Sequence, residues 1–197
     1  MELILNNVTL CFPDIFRPTS YNNGDPKFSC TLLVSKADSY QLQLTENAIM
    51  QALQLKFGNS AQALFNQIRH NNQRCCYGDG DTKTYAGFAG NMFIKTSNKG
   101  NPPQVVNQAL QPVFENSGLI HSGCIVNAHI KFFAYDAKGI KGVSANILGI
   151  QYMNVGQFFD GEATPTVSGF QAMPVPPNPY NLSLIHISEP TRLRRIS

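Results

Sequence analysis

The chain predicts a mainly β fold with helices inserted between its strands. Three observations predict it. Two-residue alternation recurs over Leu3–Phe12 and Phe28–Val34 and again in segments between Lys83 and Tyr152. One run without Gly or Pro, Asp38 to Phe57, changes to helical spacing. Clusters of Gly, Asn and Pro punctuate the rest. The 197 residues suffice for one domain with a substantial core. A hydrophobic fraction of 43% excludes wholesale disorder, and no apolar run approaches the roughly 20 residues of a membrane helix. Met1-Glu2-Leu3-Ile4 has no basic region ahead of an apolar stretch, so no signal peptide is expected.

Leu3 to Phe12 reads as a strand, irregular around Asn6-Asn7, with Val8, Leu10 and Phe12 on one face and Pro13 as its stop. Asp14 to Pro26 is a loop by composition. In the next strand Phe28, Cys30, Leu32 and Val34 share one face, and Ser29, Thr31 and Leu33 the other. Asp38 is the expected N-cap of a helix whose stripe is Leu42, Thr45, Ile49, Ala52, Leu53 and Lys56, stopped by Gly58. A second helix is expected over Ser60–Arg69, and the two form a cap on the β framework. After the Gly78-Asp79-Gly80-Asp81 turn, Lys83–Ser97 reads as a strand curved at Gly87 and Gly90. Val105-Val106 is a short strand, and Cys124–Tyr135 and Lys141–Tyr152 form a hairpin about Asp136–Gly139.

Beyond Asp160 the composition shifts. Residues 161–181 hold five prolines and predict a flexible extension. Residues 182–197 read as translated sequencing-adapter sequence, a non-native tail to be left out of fold reasoning. This bears on charge. The formal +3 includes three arginines and one glutamate from that run, which leaves 12 basic and 11 acidic residues in the body. Bulk charge gives almost no support to a polyanionic partner, so the placement of individual lysines has to decide.

On the ribbon Cys124–Tyr135, Val126, Ala128, Ile130, Phe132 and Ala134 form an apolar face. Asn127, His129, Lys131, Phe133 and Tyr135 form the opposite one. A face that mixes cation, amide, imidazole and rings suits base stacking with phosphate neutralisation. A half-exposed sheet packed under the helical cap would account for the same rings. In Asn91–Ser97 the faces again divide, with Phe93 and Lys95 opposite Met92, Ile94 and Thr96. Lys83 and Tyr85 lead into this strand, and Lys99, Lys138 and Lys141 stand in adjoining turns.

Catalytic patterns are missing. The histidines (His70, His121, His129, His186) have no metal-ligand spacing, and Lys83 and Gly90 stand where a calcium loop from Asp79 would need oxygen ligands. No phosphate-binding, nucleophile-elbow or dinucleotide motif occurs. Five cysteines, an odd number with Cys75 and Cys76 adjacent, read as reduced thiols. Two adjacent side chains converge poorly on one ion, which argues against zinc at His70, Cys75 and Cys76. No enzyme activity, metal or cofactor is expected.

Several blocks, in order, resemble a family of bacteriophage and prophage single-stranded-DNA-binding proteins, the Enc34-type group. They are Leu5–Phe16, Lys27–Val34, Gly78–Asp81, Tyr85–Phe88, Ser122–Ala128, Phe132–Asp136 and Lys141–Gln151. The resemblance covers about residues 3 to 160. It implies an oligonucleotide-binding (OB) fold, a five-stranded barrel with a helical cap over residues 1–160. That domain would bind single-stranded DNA without sequence preference in phage replication or recombination, in the bacterial host cytoplasm, alongside other replication or recombination proteins. Strand alternation, not the family, supplies the expected face: Phe93, Lys95, Asn127, His129, Lys131, Phe133 and Tyr135, with Lys83, Tyr85, Lys99, Lys138 and Lys141 closing over it. Single-strand binders of replication often end in an acidic tail. Here Glu189 stands among Arg192, Arg194 and Arg195, so either that tail is lacking or the adapter-like run replaces it. The competing expectation is a structural or assembly protein that uses the aromatic face against another protein. A nuclease on the same barrel lacks the clustered acids it would need.

Overall fold

The computed structural model describes residues 1–20 and 24–159; the extension and tail expected over 161–181 and 182–197 lie outside them. Strand β1 (Glu2–Thr19) pairs irregularly at three places, the last between Asp14 and Thr19. The first is at Asn6-Asn7, where the pairing to β6 (Ile125–Ala137) slips between Leu5 and Val8. Asn7 adopts φ +51°, a left-handed conformation that Asn tolerates better than most residues. Its N–H donates to Asn127 Oδ1 at 2.9 Å, and Gln41 bridges the N–H and carbonyl of Asn6 at 2.7 and 2.9 Å. The second bulge lies between Cys11 and Asp14, where pairing to β2 (Lys27–Ser35) slips.

That second slip corrects two expectations. Pro13 does not end the strand, because Pro13 and Pro18 fall inside the two irregular intervals of the β1–β2 pairing, where no ladder N–H is needed. Phe12 does not share a face with Val8 and Leu10. The bulge, with Phe12 at φ +50°, turns its ring outward to 46% exposure while Val8, Leu10 and Ile15 stay buried.

Helix α1 (Ser39–Phe57) begins as expected: Asp38 accepts from Gln41 N at 3.0 Å, and Gly58 at φ +54° ends it. A 3-10 turn, Gly58–Ser60, leads into α2 (Ala61–Ile68). Thr45, Ala48, Ile49, Ala52 and Leu53 of α1 and Ala61, Leu64, Phe65 and Ile68 of α2 are buried. Their apolar members join one core cluster with Leu5, Val8, Leu32, Ile94, Val126, Ile130, Phe132 and Ile147. The helices thus pack against the inner face of the sheet and leave the outer face of β6 uncovered.

Strands β3 (Tyr77–Asp79), β4 (Asn91–Asn98), β5 (Gln104–Val106) and β7 (Ile140–Asn154) complete a seven-stranded sheet in the order β3-β4-β2-β1-β6-β7-β5. β1, β2, β4, β6 and β7 are the long strands that an OB-type barrel requires; β3 and β5 are three-residue additions at the edges. Lys83–Gly90 is not strand: a 3-10 turn, Gly80–Thr82, and further turns precede β4. Among the described residues no ladder closes the sheet. The residues between α2 and β3 span the gap instead. Cys76 O accepts from Lys95 N at 2.8 Å, Cys76 N donates to Val143 O at 3.1 Å, and Val143 N donates to Arg74 O at 2.8 Å. The Asn98 side chain adds a second link, accepting from Ile147 N at 3.0 Å and donating to Ile147 O.

Candidate nucleic-acid interface

The outer face of β2 and β4 forms a groove. Phe12, Thr31, Lys83, Tyr85, Phe88, Phe93 and Lys95 line a cavity of about 340 Å³. A second, of about 320 Å³, continues from it past Lys27, Ser29, Ser97, Asn72 and Gln73 to Tyr135, and shares Phe12, Thr31 and Lys95. The loop ahead of β4 is held by charge. Lys36 pairs with Asp79 at 2.6 Å and also with Asp81, and its ammonium keeps both carboxyls below their ordinary range. Asp81 Oδ1 accepts from Gly90 N at 2.7 Å, so the two acids pin both ends of the loop that carries Lys83 and Tyr85. The Gly/Asp turn is therefore structural.

Four rings form a shelf. Phe12 meets Tyr85 edge-on with centroids 5.3 Å apart, Tyr85 meets Phe88 at 5.4 Å, and Phe88 meets Phe93 at 6.0 Å. Such contacts favour a fixed arrangement of rings. Phe12 and Tyr85 are exposed while Phe88 and Phe93 are buried, so the upper rings present faces to solvent and the lower pair supports them. This corrects the expectation for Phe93. It lies on the outer face, as alternation requires, but Cys11, Leu33, Phe88 and Phe159 cover it, leaving 1% exposed and no ring face for a base.

Lys83 and Lys95 each hold an ammonium 5.7 Å from the Phe93 centroid, and Lys95 Nζ donates to Asn72 O at 3.0 Å. Burial, then the neighbouring charges of Lys83 and Lys27, holds the Lys95 pKa below the ordinary lysine value. Among the described residues none of Lys27, Lys83 and Lys95 is paired with a carboxylate. Three cations gathered beside exposed rings make a site for a ligand that is both anionic and aromatic.

Of the expected residues, the structure brings Lys83, Tyr85, Lys95 and Tyr135 to this groove, with Phe93 as its floor. Tyr135 lies at the far end, its hydroxyl donating to Gln73 O at 3.3 Å, and burial raises its pKa. The remaining residues of β6 do not join them, because β2 and β1 separate β4 from β6 in the curved sheet. Asn127 is engaged by Asn7 N and Gln151, and His129 and Lys131 face Glu2 at 3.2 and 3.4 Å. Phe133 is 38% exposed and lines neither cavity. Lys99 pairs with Asp25 at 2.8 Å, Lys141 lies 5.2 Å from the Phe57 centroid, and Lys138 sits at φ +52° in the β6–β7 turn. Sequence reasoning missed Phe12, Lys27 and Thr31. For the latter two a signal existed in the polar alternation Lys27, Ser29, Thr31. For Phe12 the bulge had to be seen first.

A sequence profile described as "Enterobacter phage Enc34, ssDNA-binding protein" matches residues 1–178. Protein p50 of Acyrthosiphon pisum secondary endosymbiont phage 1 is 36% identical over 172 residues, covering 86% of this chain and 92% of its own. In fold, the chain is similar to the single-stranded-DNA-binding protein of bacteriophage Enc34 in complex with single-stranded DNA. The TM-score is 0.67 at 19% identity, over 80% of this chain and 89% of the other. It is also similar to gp2.5, a single-stranded-DNA-binding protein encoded by bacteriophage T7. That TM-score is 0.54 at 13% identity, over 88% and 100% of the two chains. The profile across residues 1–178 and the relative at 36% identity place the chain: it belongs to the Enc34 single-stranded-DNA-binding protein family.

Proposed function

We propose that this chain binds single-stranded DNA without sequence preference, through the β2–β4 groove, and acts in phage or prophage replication or recombination in the host cytoplasm. It is a binding module and not an enzyme, and residues 1–160 are the binding domain. The observation that carries the reading is the pairing of exposed rings, Phe12 and Tyr85, with three lysines that no described carboxylate neutralises. Family membership and the OB-type sheet support it, since OB folds bind oligonucleotides on this strand face. Rings stack on any base and ammonium groups meet any phosphate, so neither contact reads sequence.

The test is fluorescence anisotropy with labelled single-stranded DNA, duplex DNA and RNA across a salt series. Log affinity is expected to fall with log salt by about 0.7 per phosphate neutralised, giving a slope of about −2 for three lysines. Phe12→Ala is expected to weaken binding by about 1–3 kcal/mol for all base compositions alike. Binding that ignores salt, or strong preference for duplex, overturns the proposal.

A pH series gives a further check. A depressed lysine pKa means that the charge is present below it and lost as pH rises through it. Affinity is therefore expected to begin falling at a pH below the ordinary lysine range. Lys95→Arg should move the decline upward, because a guanidinium keeps its proton. An unchanged profile in Lys95→Arg would remove Lys95 from the interface.

A further inference from the structure

After β7 the chain turns back beneath the groove. Gln157 N donates to Gly123 O at 3.1 Å and Phe159 N to Ser122 O at 3.2 Å, while Phe158 stacks on His121 with centroids 3.9 Å apart. The fit is tight: a Cβ at Gly123, whose φ is +101°, would lie 1.4 Å from Gln157 O. The Phe159 ring packs with Cys11, Leu33, Phe88 and Phe93 and fills the space that a Cβ at Gly87 would need. On its other side Ser122, 2% exposed, accepts from Phe12 N through Oγ at 3.3 Å. Phe12 is held at φ +50°, a conformation that a bulky L-residue keeps only when its surroundings impose it.

We infer that Ser122 is a positioning residue for Phe12, and that the strap 155–159 holds Ser122 in place. The inference rests on the reading of the groove as a single-strand interface. One segment braces both exposed rings. The Phe159 N–H fixes the Ser122 backbone, the Ser122 hydroxyl fixes the Phe12 bulge, and the Phe159 ring fills the space under the Tyr85–Phe88 turn. On that reading Phe12 and Tyr85 meet the bases; Ser122 acts through Phe12, and Phe159 through both rings.

The experiment uses the full chain and a labelled oligothymidylate, with Ser122→Ala, Phe159→Ala, Phe12→Ala and the doubles with Phe12→Ala. Loss of the Ser122 hydroxyl is expected to weaken binding roughly three- to tenfold, the scale of one hydrogen bond. The salt slope should stay unchanged, because no phosphate contact is lost. In the Phe12→Ala background Ser122→Ala should add nothing, which a general structural role would not produce. Wild-type affinity in Ser122→Ala, or losses that add in full, overturns the inference. If Ser122→Ala fails to fold, Ser122→Cys carries the same comparison, because a thiol of similar size is only a weak acceptor for the Phe12 N–H. Amide exchange of Phe12 in the free protein decides the matter independently of DNA. Protection that Ser122→Ala removes supports positioning, and an unprotected Phe12 amide overturns it. Failure of the wild type to bind would sink the functional reading and leave that readout standing.

Discussion

Lys95→Glu is expected to abolish single-strand binding at physiological salt and to leave the fold intact. Lys95 occupies the middle of the groove, between the cavity containing Phe12 and Tyr85 and the one ending at Tyr135. Burial, and after it the like charges of Lys83 and Lys27, already disfavour its ammonium. A glutamate there changes the local charge by two and offers Lys27 and Lys83 an internal partner in place of phosphate. A like charge facing a phosphate costs several kcal/mol, on the order of a hundredfold or more in affinity. Lys95→Met, which only removes the charge, should cost less and flatten the salt slope by about 0.7. Stability should change little with Lys95→Met: burial first, then the like charges of Lys83 and Lys27, disfavours the ammonium in the folded chain and offsets loss of its hydrogen bond to Asn72 O. Anisotropy with the two variants, beside their thermal melts, decides the point. If Lys95→Glu binds within about threefold of wild type, the strand does not cross the centre of this groove.

The fold was legible wherever side-chain period reports burial directly. β2 and β6 bury every residue that alternation assigned inward up to Phe132, and Asp38 and Gly58 cap α1 as their chemistry demands. β1 resisted. Its bulges at Asn6-Asn7 and between Cys11 and Asp14 each add a residue against the partner strand, and a slip of one residue reverses the face of everything that follows. Asn6-Asn7 announces the first, because Asn accepts φ > 0. Phe12 gives no such notice at the second, because the hydroxyl that holds its bulge belongs to Ser122, 110 residues away in sequence. Pro13 reads as a stop in sequence because nothing local marks the slip in its pairing.

The site was legible in kind but less so in place. Rings beside lysines are what alternation leads one to expect, and Lys83, Tyr85, Lys95 and Tyr135 do line one groove. Alternation within one strand says which residues share a side. It does not say which strands share a direction, and that depends on sheet order and curvature. By alternation alone β6 is as suitable as β4, but in the fold Glu2, from the neighbouring β1, stands against both His129 and Lys131. Lys131 holds the Glu2 carboxyl below its ordinary range, so this patch is already internally compensated. A basic face that its own fold neutralises has fewer counterions to release on binding a polyanion.

Phe93 separates these two kinds of information, and Phe93→Ala carries the second large expected effect. Were it a stacking residue, truncation would cut affinity and leave stability alone. The structure requires the reverse order. The ring is 1% exposed among Cys11, Leu33, Phe88 and Phe159, and a Cβ at Gly78 would lie 2.5 Å from its Cζ. Emptying a site so enclosed costs about 3–5 kcal/mol, a large share of the roughly 5–15 kcal/mol that holds a domain folded. At this chain length that corresponds to a fall in Tm of roughly 6–20 °C. Phe12→Ala, at a ring 46% exposed, should leave Tm nearly unchanged and spend its effect on affinity. Calorimetry separates the two variants: Tm should fall with Phe93→Ala and hardly move with Phe12→Ala, whose loss of affinity appears by anisotropy. A Phe93→Ala protein that melts like wild type would mean that Cys11, Leu33, Phe88 and Phe159 do not enclose this ring as described, and the support beneath Phe12 and Tyr85 would go with it.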